Sequence, residues 1–479
     1  MRQCLILYVL LLVLPVHAQT FSAFLSRINS APNAERPAIV DSFMAAVPGF
    51  PMIEETDQVH FLYRAEATSV MIPGDMNNWS PDSDVMTRIS GTDLWYRSKL
   101  LEHDARLDYK FVVNNSNWIL DPLNPNTVTG GFGPNSELRM PGFVQPLEII
   151  NYPDIDHGSL RDTMFTSEFL GNTRRVRVYT PFGYDPDSDC YPFLLVHDGL
   201  DYINLGSATR ILDYLIYHGQ ITPLIAVFVP AVNRNPEYTG NQQAAFGRFI
   251  TEELLPWIDE EYNTCSAPQS RGSAGASNGG NISLWLAVTY PEVFGLVLAQ
   301  SPFVQSSITD TLAIRDDLGL KFYLDIGTYD IPQLIPLTEN LHELLQTQNY
   351  QQFYQFHHDG HSWGNWRAHF DEALLYLYPA QTSSEPRTGE LADEFSLSQN
   401  FPNPFNPSTT LTLNLTRRSY VSLTVYNLQG QVVDTLAKEV LESGSFDFVF
   451  DGAGLPSGIY FARLTAGQIT QTVKMILLK

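Results

Sequence analysis

Apolar and polar positions alternate over short runs between Val59 and about residue 140. Examples are Phe61, Leu62, Tyr63, residues 69–72 and residues 107–113, each bounded by turn residues. A period of two with such punctuation predicts short strands forming a small β-sandwich. Between residues 174 and 378 the pattern changes: continuous apolar runs at 193–196 and 224–229 alternate with longer helix-like stretches such as 246–262. Strands buried on both faces read as unbroken apolar runs, so this segment is expected to be α/β, a parallel sheet with helices on both faces. Residues 381–394 are polar and acidic with neither period, and read as a linker. Alternation resumes from Thr409 to the end, predicting a second all-β unit.

The first residues follow a different logic. Arg2 precedes an apolar run at 5–14, and Val16, His17, Ala18 form a small-residue exit, so residues 1–18 are expected to be a signal peptide cleaved after Ala18. No later apolar run reaches the roughly 18 residues needed to span a bilayer, so no transmembrane segment is expected in the mature chain. Of three cysteines, Cys4 leaves with the leader and Cys190 and Cys265 remain. Two cysteines are too few for a disulfide framework, so a hydrophobic core must hold the fold. At 479 residues the chain has room for two or three domains of about 100–200 residues. A formal net charge of -24 repels phosphate backbones, which argues against nucleic acid as a partner. Neither an HExxH nor a paired CxxC spacing occurs, so no metal or other cofactor is expected.

Two segments match Gly-x-Ser-x-Gly: residues 275–279 around Ser277 and residues 360–364 around Ser362. The pattern suits a nucleophile, because a strand turning sharply into a helix lifts the hydroxyl clear of the sheet and leaves room only for small neighbours. Chance alone yields it in roughly one chain in six of this length, so the surroundings must decide. Ser277 sits among Ala274, Gly275, Ala276, Gly279 and Gly280, whereas Ser362 is wedged between His361 and Trp363. Hydrolases of this kind run serine, acid, histidine; after Ser362 the only histidine is His369, in the same expected helix. Ser277 leaves chain for both partners.

A serine hydroxyl attacks only when a base takes its proton. His357, His358 and His361 cluster in an expected Gly-containing loop, and His361, following Gly360, is the expected base. Asp330, just after an expected strand at 321–326, is the expected acid, with Asp325 inside that strand as the alternative. The backbone amides of Asn278 and Leu200 are the expected oxyanion donors, the first following the nucleophile and the second in the loop after an earlier strand. Together these residues describe an expected serine hydrolase of α/β-hydrolase type.

Further pieces accompany Ser277: Asp198-Gly199, Arg234 with Glu237-Tyr238, the run Glu252, Glu253, Leu254, Leu255, Pro256, then Gln300-Ser301, and residues 360–363 followed by Trp366-Arg367. With them, residues 152–379 resemble the esterase family that includes enterochelin, feruloyl and acetylxylan esterases and the mycolyltransferase antigen. The resemblance implies attack on oxygen esters through an acyl-enzyme on Ser277. Feruloyl or acetyl groups on polysaccharide, or other acyl esters, are the implied substrates. An enterochelin-like siderophore is the alternative, and acyl transfer to a sugar uses the same machinery. In a sheet of this family the strands after Cys190 and Cys265 would be neighbours, which makes a disulfide between them a hypothesis.

Gly74, Asp75, Met76, Asn77, Asn78, Trp79, with Tyr109-Lys110-Phe111, Trp118, Asp121-Pro122 and Asn135-Ser136, resemble the glycogen-binding module of E-set type. That resemblance implies a glucan site at Trp79, Lys110, Trp118 and Asn135, since a flat ring stacks on a pyranose face. The other reading is that the tryptophans pack against the catalytic segment. The tail, through residues 397–408 (LSQNFPNPFNPS), 425–427, 455–461 and 474–479, resembles the type IX secretion sorting domain. This implies a Gram-negative envelope, the secretion machinery as partner, and a protein released or attached at the cell surface. The expected organisation is a signal peptide at 1–18, an N-terminal segment at 19–55, a β-sandwich at 56–145, an esterase domain at 150–380, a linker at 381–394 and a sorting domain at 395–479. A catalytically silent carbohydrate-binding surface protein is the alternative from another functional class.

Overall fold

The computed structural model describes residues 20–315, 317–380, 395–415, 419–427, 432–441, 443–466 and 469–479. The expected signal peptide and linker lie outside the described residues. The chain divides into two compact units. One holds Met1–Gln145, Asp325–Glu339 and Gln355–Asn365; the other holds Pro146–Leu324, Asn340–Tyr354 and Trp366–Lys479.

The first unit begins with two helices, Phe21–Ser30 and Arg36–Ala46. Thr20 caps the first, its Oγ1 accepting from the Ala23 amide at 3.2 Å. Pro37 sits in the first turn of the second, where a missing N–H costs nothing. Their apolar positions, Phe21, Phe24, Ile28 and Ile39, Val40, Phe43, recur at helical spacing and form one cluster with Leu62 and Leu94 of the strands below. Strand Gln58–Arg64 is therefore buried on both faces: Val59, Phe61 and Tyr63 enter the sandwich core, while Leu62 meets the helices. It pairs with Met52–Glu54 and Leu94–Leu100. Arg106–Tyr109 pairs with Gly133–Arg139, which also pairs with the preceding Thr127–Gly130, and Phe111–Val113 pairs with Val70–Met71 and Asn117–Ile119.

The second unit carries strands in the order Ser159–Ser167, Asn172–Thr180, Ile225–Val229, Phe193–His197, Arg271–Ala276, Leu296–Gln300. The first pairings are antiparallel; those joining Ile225–Val229, Phe193–His197, Arg271–Ala276 and Leu296–Gln300 are parallel. Every residue of these four strands is buried, which is why they read as apolar or small-residue runs without alternation. After Phe193–His197 the chain adds Ile225–Val229 on one side and then Arg271–Ala276 on the other, and in open α/β sheets ligands enter at the carboxyl ends beside such a reversal. Asp198 and Ser277 follow two neighbouring strands at that point.

The C-terminal sandwich has the sheets Phe395–Leu397, Ser408–Leu415, Gly444–Asp451 and Val432–Leu441, Ser419–Tyr426, Gly458–Ala466, Ile469–Leu477. Leu411, Leu413 and Leu415 alternate inward and share a core with Val421, Leu423, Val425, Phe450 and Leu464. No helix among the described residues is long and apolar enough to cross a membrane.

Candidate active site

Strand Arg271–Ala276 and helix Asn278–Thr289 are separated by one residue, Ser277. Its backbone has φ 58° and ψ -121°, a conformation costly for any side chain and sustained only by its surroundings. The surroundings are explicit. The Ser277 amide donates to Gln300 O at 2.9 Å, and its carbonyl accepts from Asn281 N and Phe303 N, each at 3.1 Å. A β-carbon on Gly275 would strike the Gly279 backbone, and one on Gly280 would stand 2.9 Å from Pro302 Cβ. Ser362 lacks the positive φ of Ser277. Its hydroxyl accepts from Arg106 Nη1 at 3.1 Å, so the second sequence match is a helix-entry serine and not an elbow.

The two expected oxyanion amides both open helices. Asn278 is the first residue of Asn278–Thr289 and Leu200 the second of Gly199–Asn204, positions whose N–H groups have no acceptor within their own helix. The turn before Leu200 is built on Asp198, at φ 51°, and on Gly199, whose β-carbon would meet the Phe228 backbone at 2.5 Å. Asp198 is clamped by Arg234, with Nη2 at 2.8 Å and Nε at 3.0 Å, and the same Nη2 reaches Ala276 O at 3.3 Å. This clamp ties the Leu200 turn to the residue before Ser277. The two residues were noted in the sequence, but a separation of 36 positions gives no sign of their pairing. Beneath them His197, fully buried, bonds Ser273 Oγ through Nε2 at 3.0 Å, and burial pushes its pKa down to about 3. A neutral imidazole locked there is a structural group.

His361 Nδ1 lies 2.7 Å from Asp330 Oδ1. The Asp330 side chain is fully buried, and its Oδ1 also accepts from Ile331 N at 2.7 Å. Asp330 follows strand Lys321–Tyr329, whereas the alternative, Asp325, is buried inside it. Geometry therefore pairs His361 with Asp330. The loop expected around His357 and His358 is instead the end of strand Gln351–Gly360, and His358 bonds Asp104 at 2.6 Å. At the strand's end Asp359 bridges Arg106, a pairing too distant in sequence to leave a local signal. His369 lies within helix Trp363–Leu377.

Cys190 and Cys265 are joined as a disulfide with Cα atoms 4.9 Å apart, upstream of the parallel neighbours Phe193–His197 and Arg271–Ala276. Of the four glucan candidates, Trp118 is 47% exposed on strand Asn117–Ile119. Lys110 is half-buried, its amide donating to Pro73 O at 2.9 Å. The other two turn their polar atoms inward: Trp79 Nε1 donates to Asp75 Oδ1 at 2.9 Å, and Asn135 Nδ2 to Asp108 Oδ2 at 2.9 Å.

Comparison with known proteins bears on all three regions. Residues 167–377 match the family described as "Putative esterase", residues 58–120 "Enterochelin esterase, N-terminal", and residues 399–478 "Secretion system C-terminal sorting domain". The chain is 31% identical over 233 residues to the protein YjcH of Bacillus subtilis, covering 46% of this chain and 97% of that one. It is 29% identical over 176 residues to the endo-1,4-beta-xylanase/feruloyl esterase of Xylanibacter ruminicola, covering 34% of this chain and 24% of that protein. Against the iron(III) enterobactin esterase of Escherichia coli O6:H1 it is 25% identical over 335 residues, 61% of this chain and 81% of the relative. The enterobactin esterase FES of Shigella flexneri, solved in the presence of enterobactin, shares the fold. Its TM-score is 0.60 at 24% identity, covering 70% of this chain and 97% of that one.

Proposed function

Since the chain belongs to the esterase family matched by its middle segment, and is a carboxylic ester hydrolase with a C-terminal secretion sorting domain, we propose that Ser277 is its nucleophile, His361 the general base and Asp330 the acid orienting that base. The observation that carries this reading is the 2.7 Å bond from His361 Nδ1 to the fully buried Asp330 carboxylate. Such a bond fixes the tautomer that leaves Nε2 free of its proton, and offsets the charge the ring acquires on taking one.

Ser277 Oγ attacks the ester carbonyl carbon while its proton passes to His361 Nε2. The amides of Asn278 and Leu200 receive the oxyanion, each worth about 2.7–4 kcal/mol in comparable sites. Collapse expels the alcohol, which takes the proton from His361 and leaves an acyl group on Ser277. Water, deprotonated by the same imidazole, then attacks the acyl-enzyme, and the carboxylic acid departs with Ser277 restored. Asp198 and Arg234 would keep the Leu200 amide in place through these steps.

The protein is secreted or attached at the cell surface, as its sorting domain indicates. Outside the cell a polymer-borne ester is the substrate class best placed, and one relative is named a feruloyl esterase joined to a xylanase. A siderophore ester is the second reading, favoured by the match of residues 58–120 to the enterochelin esterase N-terminal family. Turnover of p-nitrophenyl acyl esters, methyl ferulate, acetylated xylan and iron(III) enterobactin, with Ser277→Ala beside the parent, separates these. Hydrolysis of ferulate or acetylxylan that is lost in Ser277→Ala supports the first reading. Hydrolysis of enterobactin alone supports the second, and turnover untouched by the substitution ends both.

A further inference from the structure

We propose that Arg106, buried in the N-terminal sandwich, is a positioning residue for hydrolysis, holding the loop that carries His361 through the hydroxyl of Ser362. The inference rests on His361 being the general base and adds what holds that base in place.

Arg106 is 1% exposed, and its guanidinium forks three ways. Nε donates to Glu137 Oε1 at 2.7 Å, Nη2 to Asp108 Oδ1 at 2.7 Å, and Nη1 to Ser362 Oγ at 3.1 Å. Both carboxylates are held from behind: Arg139 Nε donates to Glu137 Oε2 at 2.8 Å, and Asn135 Nδ2 to Asp108 Oδ2 at 2.9 Å. Asp75, also buried, accepts from the Asp108 amide at 2.7 Å and from the Trp79 indole at 2.9 Å. Burial, together with Asp108 nearby, raises the Asp75 carboxyl well above the usual range.

The loop rests on this cluster at two glycines. A β-carbon on Gly360 would run into the Asp75 carboxyl, and one on Gly364 into the Arg106 guanidinium. The backbone on each side of His361 therefore lies directly against the buried Asp75 carboxyl and Arg106 guanidinium of the sandwich. Within the loop, Asn365 Nδ2 donates to Gly360 O at 2.9 Å and the Ser362 amide to the same carbonyl at 3.0 Å. Among the described residues the neutral partner of the Arg106 fork is the serine beside the base.

A buried ion cluster adds little net stability over apolar residues of equal volume. What it does supply is direction, because a planar guanidinium fixes the angles of every group it bonds. A general base needs that, since a misplacement near 1 Å costs on the order of a hundredfold in rate. Arg106 would thus act on kcat through His361 without touching substrate.

The test measures kcat, KM and melting temperature with p-nitrophenyl acetate for the full chain, Ser362→Ala, Arg106→Gln and the double variant, with Ser277→Ala and His361→Ala as controls. Ser362→Ala removes a single oxygen and is expected to fold, melting somewhat below the parent because Arg106 Nη1 loses its acceptor, while at temperatures well below melting kcat falls about ten- to a hundredfold and KM holds. Arg106→Gln is expected to lose at least as much, and the double variant no more than Arg106→Gln alone, because both cut the same contact. Parent-like kcat in Ser362→Ala beside inactive Ser277→Ala and His361→Ala would overturn the positioning role and leave the nucleophile and base standing. A loss confined to KM, or losses that multiply in the double variant, would do the same. Turnover surviving in Ser277→Ala or His361→Ala would overturn both.

Discussion

The chain carries two β-sandwiches built on opposite principles. The C-terminal one buries Leu411, Leu413, Val421, Leu423, Val425, Phe450, Leu464 and Met475, and among the described residues it buries no charged side chain. The N-terminal one has an apolar core of similar make-up around Phe61, Tyr109 and Phe111. It also buries Asp75, Asp84, Arg106, Asp108, Asp121 and Glu137. Charge taken out of water is expensive unless it is fully paired, so a sandwich needs none of it to fold. The apolar sandwich shows what folding requires. The additional titratable groups in the other lie in the unit that also holds Asp330 and His361, where the proposed base and acid would need orientation as well as stability.

Substitutions can break or sharpen this contrast. The largest effects are expected at the chemistry itself. Ser277→Ala and His361→Ala should each lower kcat by about 10⁴-fold or more, and Asp330→Asn by roughly 10⁴-fold through the wrong tautomer, measured as steady-state ester turnover. Arg106→Gln comes next: leaving Asp108 and Glu137 buried beside a neutral group should cost about 3–5 kcal/mol in denaturant unfolding and reduce kcat as well. Leu423→Ala in the other sandwich should cost about 2–5 kcal/mol by leaving a cavity, with ester turnover unchanged. Should Leu423→Ala depress kcat, or Arg106→Gln leave it intact, the two sandwiches do not differ as described.

A smaller effect belongs to His197. Its folded pKa of about 3 lies below the ordinary 6.5, so the unfolded chain takes up a proton that the folded chain refuses. Its contribution is complete above pH 6.5 and is lost as pH falls toward 3, by up to about 1.4 kcal/mol per unit. Replacing His197 with Asn should flatten the fall in unfolding free energy between pH 6.5 and 4. An unchanged slope would mean that His197 takes a proton in the native state.

Legibility in the sequence followed the range of the interactions. The strands Phe193–His197 and Ile225–Val229 were readable because burial on both faces leaves unbroken apolar runs, and Ser277 because its elbow is local; Leu296–Gln300 was not drawn from the sequence. The helices Phe21–Ser30 and Arg36–Ala46 were not drawn from the sequence, although Thr20 and the spacing of Phe21, Phe24 and Ile28 carry a capped amphipathic signal. The strand through His357 and His358 was read as loop, since its bridge to Arg106 joins residues far apart. For Trp79 and Asn135 the sequence left a sugar-facing and a packing reading open; each donates inward to a buried carboxylate, a partner that residue type alone does not disclose. The link from Arg106 to Ser362 spans 256 positions and leaves no periodic trace.

The most direct measurement of the central claim traps the acyl-enzyme. The protein is mixed with p-nitrophenyl acetate, quenched in acid during the burst of p-nitrophenol, digested and mapped by mass spectrometry. An acetyl group on the peptide at Ser277, absent in Ser277→Ala, is the expected result. Acetylation at Ser362 or elsewhere with Ser277 unmodified, or a burst that persists in Ser277→Ala, would contradict it.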